Sequence, residues 1–260
     1  MTGENTDNDY VDEDVIIEKI IKFDKFENFY CAEREPIKTI VPIKWKINPS
    51  CKGFAVQRSG ADGISVIELR HLPETSDDAF LVAHEIVHVI RREVDKQYLN
   101  ITKVNDSILK KYTVDDMGDF ASRIGSMFDD PIVDLFLMDK YGFDPAHRYI
   151  NVVIKETDKN LKTPRDATDE LQRFNQAMFY AQYALQWDSI KDPEALRKWH
   201  AFKRRYERKR PMAKKIGSEL YLMAKENGYD SQEKQKVLFN KIGDKYTICG
   251  IKIKDILYIE

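Results

Sequence analysis

A chain of 260 residues with 42% apolar and 33% charged side chains has enough apolar surface to bury a sizeable core, which excludes disorder of the whole chain. Its 44 acids and 42 bases leave a formal charge of -2, which excludes a uniformly basic coat for nucleic acid. No apolar run approaches the roughly 18 to 20 residues that a membrane-spanning helix needs.

Residues 1–14 carry six acids and no base, so they are expected to form a disordered acidic tail. They also lack the basic and apolar regions of a secretion signal, so a cytoplasmic protein is expected. Cys31, Cys51 and Cys249 are few and widely spaced, which suggests neither a disulfide framework nor a cysteine-rich metal site. From Val15 to about Cys31 the apolar spacing fits a short amphipathic helix or a strand. Between Ile37 and Arg70, β-branched and aromatic residues punctuated by turn residues predict three short strands, at 37–47, 54–58 and 64–70. The last two are expected to form a hairpin around Ser59 to Gly63.

Thr75 with Asp78 three positions on has the capping-box form and predicts a helix from about Ser76 to Val94. Its apolar residues, among them Phe80, Ala83, Ile86, Val87 and Ile90, cover most of the circumference, as expected of a buried central helix. Downstream, helical spacing is read at 104–112, 115–140, 166–189, 193–209, 212–227 and 231–241, and residues 246–259 return to alternation as one or two closing strands. The expected fold class is α+β, a small antiparallel sheet followed by a mainly helical body. The core is expected over 15–140 and a helical C-terminal region with closing strands over 141–260.

The predicted central helix contains His84-Glu85-Ile86-Val87-His88. On a 3.6-residue helix two imidazoles four apart project from one face and can share a metal, while Glu85 is turned far enough to reach a water on it. With five histidines in the chain, a chance HExxH is expected in roughly one sequence in a hundred or fewer. The alternative, two ordinary helix histidines, is costly for two titratable rings on one buried face.

A catalytic zinc normally takes three protein ligands and leaves its fourth position to water. A metzincin would place Gly three residues after the second histidine and a ligand six after it; Arg91 and Val94 stand there, which excludes that class. His71, His147 and His200 have no local argument as ligands. Asp130 and Asp134 lie four apart on the following helical stretch. Asp130 can therefore bind the metal while Asp134 hydrogen-bonds the free ring nitrogen of a ligating histidine. The alternatives are Asp129 as ligand, another acid such as Asp115, Asp116 or Asp119, and helix capping by Asp129 and Asp130 with Pro131 in the first turn.

At these residues the sequence resembles the gluzincin-like zinc peptidases, whose third ligand stands on a second helix in an N-E-x-x-S-D pattern. The nearest likeness is to small minigluzincin-like domains and to metallopeptidase domains that carry Asp as third ligand. The likeness spans roughly residues 64 to 140. Asp130 falls where the pattern has its metal-binding Glu and Asp134 where it has the outer Asp. Asp129 replaces the Asn, and Pro131 interrupts the stretch.

The resemblance implies a zincin-like fold, one zinc per chain and cleavage of a peptide or protein substrate with Glu85 as general base. It also implies a substrate-binding edge strand ahead of the helix, for which residues 64–70 are in place; an internal strand is the alternative. Tyr180, Tyr183, His147 and Tyr149 are candidate oxyanion donors by residue type alone.

Residues 197–215 hold ten bases against Glu207, with Trp199, Phe202 and Tyr206 as an apolar stripe. A solvated amphipathic helix explains this pattern; a face for nucleic acid or an acidic partner is the alternative, with no recognised nucleic-acid motif behind it. A second functional reading is therefore a catalytically weak zinc-containing module acting through the basic helix. A third is a nucleic-acid-binding protein in which the HExxH is incidental.

Overall fold

The computed structural model describes residues 10–51, 53–59, 62–97, 99, 101–159, 161–162 and 166–259. It has the expected α+β composition, a small sheet followed by a mainly helical body. Internal contacts group the chain into two units: residues up to Lys96 with Phe136–Pro145, and Gln97–Leu135 with Ala146–Glu260. Among the described residues no helix is long and apolar enough to cross a membrane.

The first unit begins with β1 (Tyr10–Val11), α1 (Glu13–Ile20) and α2 (Asp24–Phe29), the last running on through a π-helical turn to Arg34. Most of the expected acidic tail, residues 1–9, lies outside the described residues; Tyr10 to Asp14 do not extend it but enter β1 and α1. Glu13 in particular is drawn inward. It accepts both prongs of the buried Arg34 guanidinium at 2.9 and 2.7 Å, the Tyr30 hydroxyl at 3.1 Å and the Trp45 indole at 3.2 Å. A charge this deeply buried is tolerated because its partner and its hydrogen bonds are all present.

Strands β2 (Ile43–Ile47), β3 (Ala55–Ser59) and β4 (Ser65–Leu69) follow, and the sheet order is β1-β2-β4-β3. The expected hairpin is present as the antiparallel β3–β4 pair. The sheet as a whole is mixed and not antiparallel, because β4 inserts between β3 and β2 and pairs with β2 in parallel, Ile43 opposite Ser65 through Ile47 opposite Leu69. That placement also corrects the expected edge strand. Residues 64–70 supply an interior strand whose backbone is paired on both sides, which leaves no row free for an extended peptide. Helix α3 (Ser76–Glu93) lies against β3, α1 and α2, and buries Ala79, Val82, Ala83, Ile86 and Val89 completely.

In the second unit the expected helix at 104–112 is instead β5 (Ile101–Val104) followed by a 3-10 turn. Ile101 pairs across the sequence with Ile259 in β8 (Leu257–Ile259), a partner that no local pattern announces. Helix α4 spans Val114–Tyr141 with Pro131 inside it, and its last turns belong to the first unit. The capping alternative for Asp129 and Asp130 therefore fails, since both lie deep within a helix of 28 residues.

Helix α5 (Ala146–Lys159) was not anticipated. Helices α6 (Glu170–Trp187), α7 (Pro193–Lys209), α8 (Pro211–Asn227) and α9 (Gln232–Lys245) match the expected segments. They close tightly: a Cβ at Gly217 of α8 would come within 2.5 Å of the Ala177 carbonyl oxygen on α6, so glycine there permits the backbones to approach. The chain ends in β6 (Thr247–Ile248), β7 (Ile251–Lys252), the single turn α10 (Ile253–Ile256) and β8, more elements than the one or two strands expected.

Candidate metal centre

The histidine helix is anchored by its own residues. Thr75 Oγ1 accepts from the Asp78 backbone N–H at 3.1 Å, and Asp78 Oδ2 accepts from the backbone N–H of Thr75 and of Glu74 at 3.0 Å. This reciprocal cap fixes where α3 begins. His84 is buried, with the Phe80 ring beside it, and His88 is half-buried one turn on. Their rings meet edge to face, and the two Nε2 atoms stand 3.0 Å apart. Without an ion one ring must donate and the other accept. With metal–nitrogen bonds of about 2.0–2.1 Å, two nitrogens on a tetrahedral ion stand about 3.3 Å from each other, so the observed spacing is close to that of a shared ion.

On α4, Asp129 and Asp134 are buried and Asp130 is half-buried. One ligand atom from each of His84, His88 and Asp130 lies within 4.8 Å of the other two. Asp130, and not Asp129, is the acid of that group, and His71, His147 and His200 take no part in it. Two imidazole nitrogens and one carboxylate oxygen form a donor set that could hold a metal ion, and it suits zinc, though it does not by itself fix which metal. Glu85 is half-buried beside His84, and among the described residues nothing hydrogen-bonds its carboxylate.

Two residues of this neighbourhood were not foreseen. Gln182 and Gln186 on α6 donate through Nε2 to Asp130 Oδ2 at 2.7 Å and to Asp134 Oδ2 at 2.6 Å. The Tyr149 hydroxyl donates to the same oxygen of Asp134. Burial, and then the carboxylate beside it, holds that hydroxyl well above the usual phenol range, so it remains a donor. The only signal in the sequence is that Gln182 and Gln186 share the four-residue spacing of Asp130 and Asp134. Each glutamine also keeps a buried Oε1 without a hydrogen-bond partner among the described residues, which costs about 1–3 kcal/mol per group.

Comparisons with protein-family models, with curated proteins and with solved structures found no match. The likeness to gluzincin-like peptidases therefore rests on the motif residues themselves.

The other candidates divide. Tyr149 is committed to Asp134, and exposed His147 lies 3.4 Å from the Asn151 amide. Tyr180 is packed against Trp199 and Tyr206. Tyr183 stands edge-on to Phe179, and burial raises its hydroxyl above the usual range, with Glu156, Arg148, Arg123 and Asp130 as its charged neighbours.

On α7 the stripe of Trp199, Phe202 and Tyr206 is buried, and Trp199 stacks on Trp187 at 5.4 Å. Those rings are not available for stacking on nucleic-acid bases. Among the described residues Lys198, Arg204, Arg205, Arg208 and Lys209 have no ion-pair partner, whereas Arg197 lies 3.8 Å from Glu194 and Lys214 lies 3.4 Å from Glu207.

Proposed function

We propose that the chain is a zinc-dependent peptidase in which His84, His88 and Asp130 hold one ion and Glu85 serves as general base. The reading is carried by one observation, the gathering of those three ligand atoms next to a glutamate that has no hydrogen-bond partner among the described residues. Held by His84, His88 and Asp130, a zinc ion would supply Lewis acidity to a water and to a peptide carbonyl. Glu85 accepts the proton of the attacking water as its oxygen bonds to the peptide carbon, then delivers it to the amine as the C–N bond breaks. The same donor set serves iron(II) oxygenases, but that chemistry has no use for a carboxylate base one position from a ligand. Glu85 therefore favours hydrolysis.

Metal analysis together with cleavage of an extended-peptide library by the wild-type protein and Glu85→Gln tests this. We expect one zinc per chain in both proteins and a loss of cleavage on the order of 100-fold or more in the variant. Zinc in both with no cleavage by the wild type would instead support a binding module, for which the unpaired bases of α7 are the natural face. Absence of bound metal would overturn both readings.

A further inference from the structure

Two acids four residues apart on α4 meet two glutamines four residues apart on α6, and each bond bridges 52 positions of sequence. Helices whose i and i+4 residues meet in register form a ladder, here with two chemically identical rungs. Both glutamines are buried to the same degree, 6% and 5% exposed, and both leave Oε1 without a hydrogen-bond partner among the described residues. Buried amides normally satisfy both of their ends. These two are turned so that the donor reaches the carboxylate at the expense of the acceptor, which indicates that the direction of the carboxylate is what the rung fixes.

We propose that Gln182 is a positioning residue for Asp130, an inference that rests on the metal reading above. Its amide N–H holds Oδ2 and so sets the plane in which the carboxylate faces His84 and His88. The chemistry of the donor suits that task. A lysine or arginine there would compete with the ion for the negative charge of the carboxylate, whereas a neutral amide orients it and leaves its charge in place. An aspartate also has one methylene less than a glutamate with which to reach an ion, so its aim depends more on what holds it. The second rung provides an internal control, because Gln186 donates to Asp134, which lies outside the group of three ligand atoms.

The experiment compares Gln182→Leu with Gln186→Leu in the full chain. It reads zinc affinity by competition with a chelator, the visible spectrum of the cobalt(II)-loaded protein, and the thermal midpoint of the metal-free protein. The metal-free midpoint should fall in both variants, and at least as far in Gln186→Leu, whose rung is the more deeply buried of the two. Zinc affinity should fall about 10–100-fold in Gln182→Leu with an altered cobalt spectrum, but by no more than about threefold in Gln186→Leu. Gln182→Met, which also lacks the donor and keeps an unbranched chain, carries the same expectation should leucine not be accommodated. One zinc in the wild type with equal losses of affinity in both variants, or no loss in either, would overturn the positioning role and leave the metal reading standing. A wild-type protein that binds no metal would overturn both.

Discussion

Helix α3 starts on a cap built by its own residues and presents two histidines four apart, whereas α4 contains a proline and fixes its acids against glutamines 52 positions away. The first arrangement is local: spacing, cap and apolar face all lie within one helix. The second is assembled from distant chain, and its meaning emerges only when α6 packs. Both kinds of specification meet at one candidate site. A ligand pair can be set by helical periodicity alone, but a third ligand from another element needs partners that hold its direction.

Removal of the ligand itself should test the α4 side most severely. Asp130→Ala is expected to abolish retention of zinc during dialysis against a chelator, while Asp129→Asn leaves one ion per chain; the reverse result would exchange their roles. Next in size is Glu13→Ala, which leaves the buried Arg34 guanidinium without its carboxylate and should lower stability by about 3–5 kcal/mol in urea unfolding. A loss under about 1 kcal/mol would mean that Glu13 and Arg34 behave as an exposed and not a buried pair. Smallest is Thr75→Ala. It removes one half of the reciprocal cap and should cost about 1 kcal/mol, with zinc affinity little changed, because the histidine spacing does not depend on the first turn. A large loss of zinc affinity in that variant would contradict the local account of α3.

The same contrast explains what could be read from residues alone. Thr75, Asp78, His84 and His88 are meaningful at separations of three and four, so the helix, its start and its ligand pair were all legible. The strand at Ser65–Leu69 was legible as a strand, but its place between β2 and β3 was not, since pairing order depends on Ile43–Ile47 returning in parallel. The strand Ile101–Val104 was not legible, and its last residue was placed at the start of a helix over 104–112, because its partner lies at residues 257–259. Asp130 was visible as an acid at the right spacing from Asp134. Gln182 and Gln186 were not visible, because neutral amides on a helix gain significance only from the carboxylates opposite them. Glu13 was counted with the tail by composition and drawn into the fold by Arg34, Tyr30 and Trp45.

The central claim is that His84, His88 and Asp130 hold one ion, and anomalous diffraction at the zinc edge from crystals of the zinc-loaded protein tests it most directly. The account predicts a single strong peak at about 2.0–2.2 Å from the Nε2 atoms of His84 and His88 and from an Asp130 oxygen. A peak bound elsewhere, or no peak with the two Nε2 atoms hydrogen-bonded directly to each other, would contradict it.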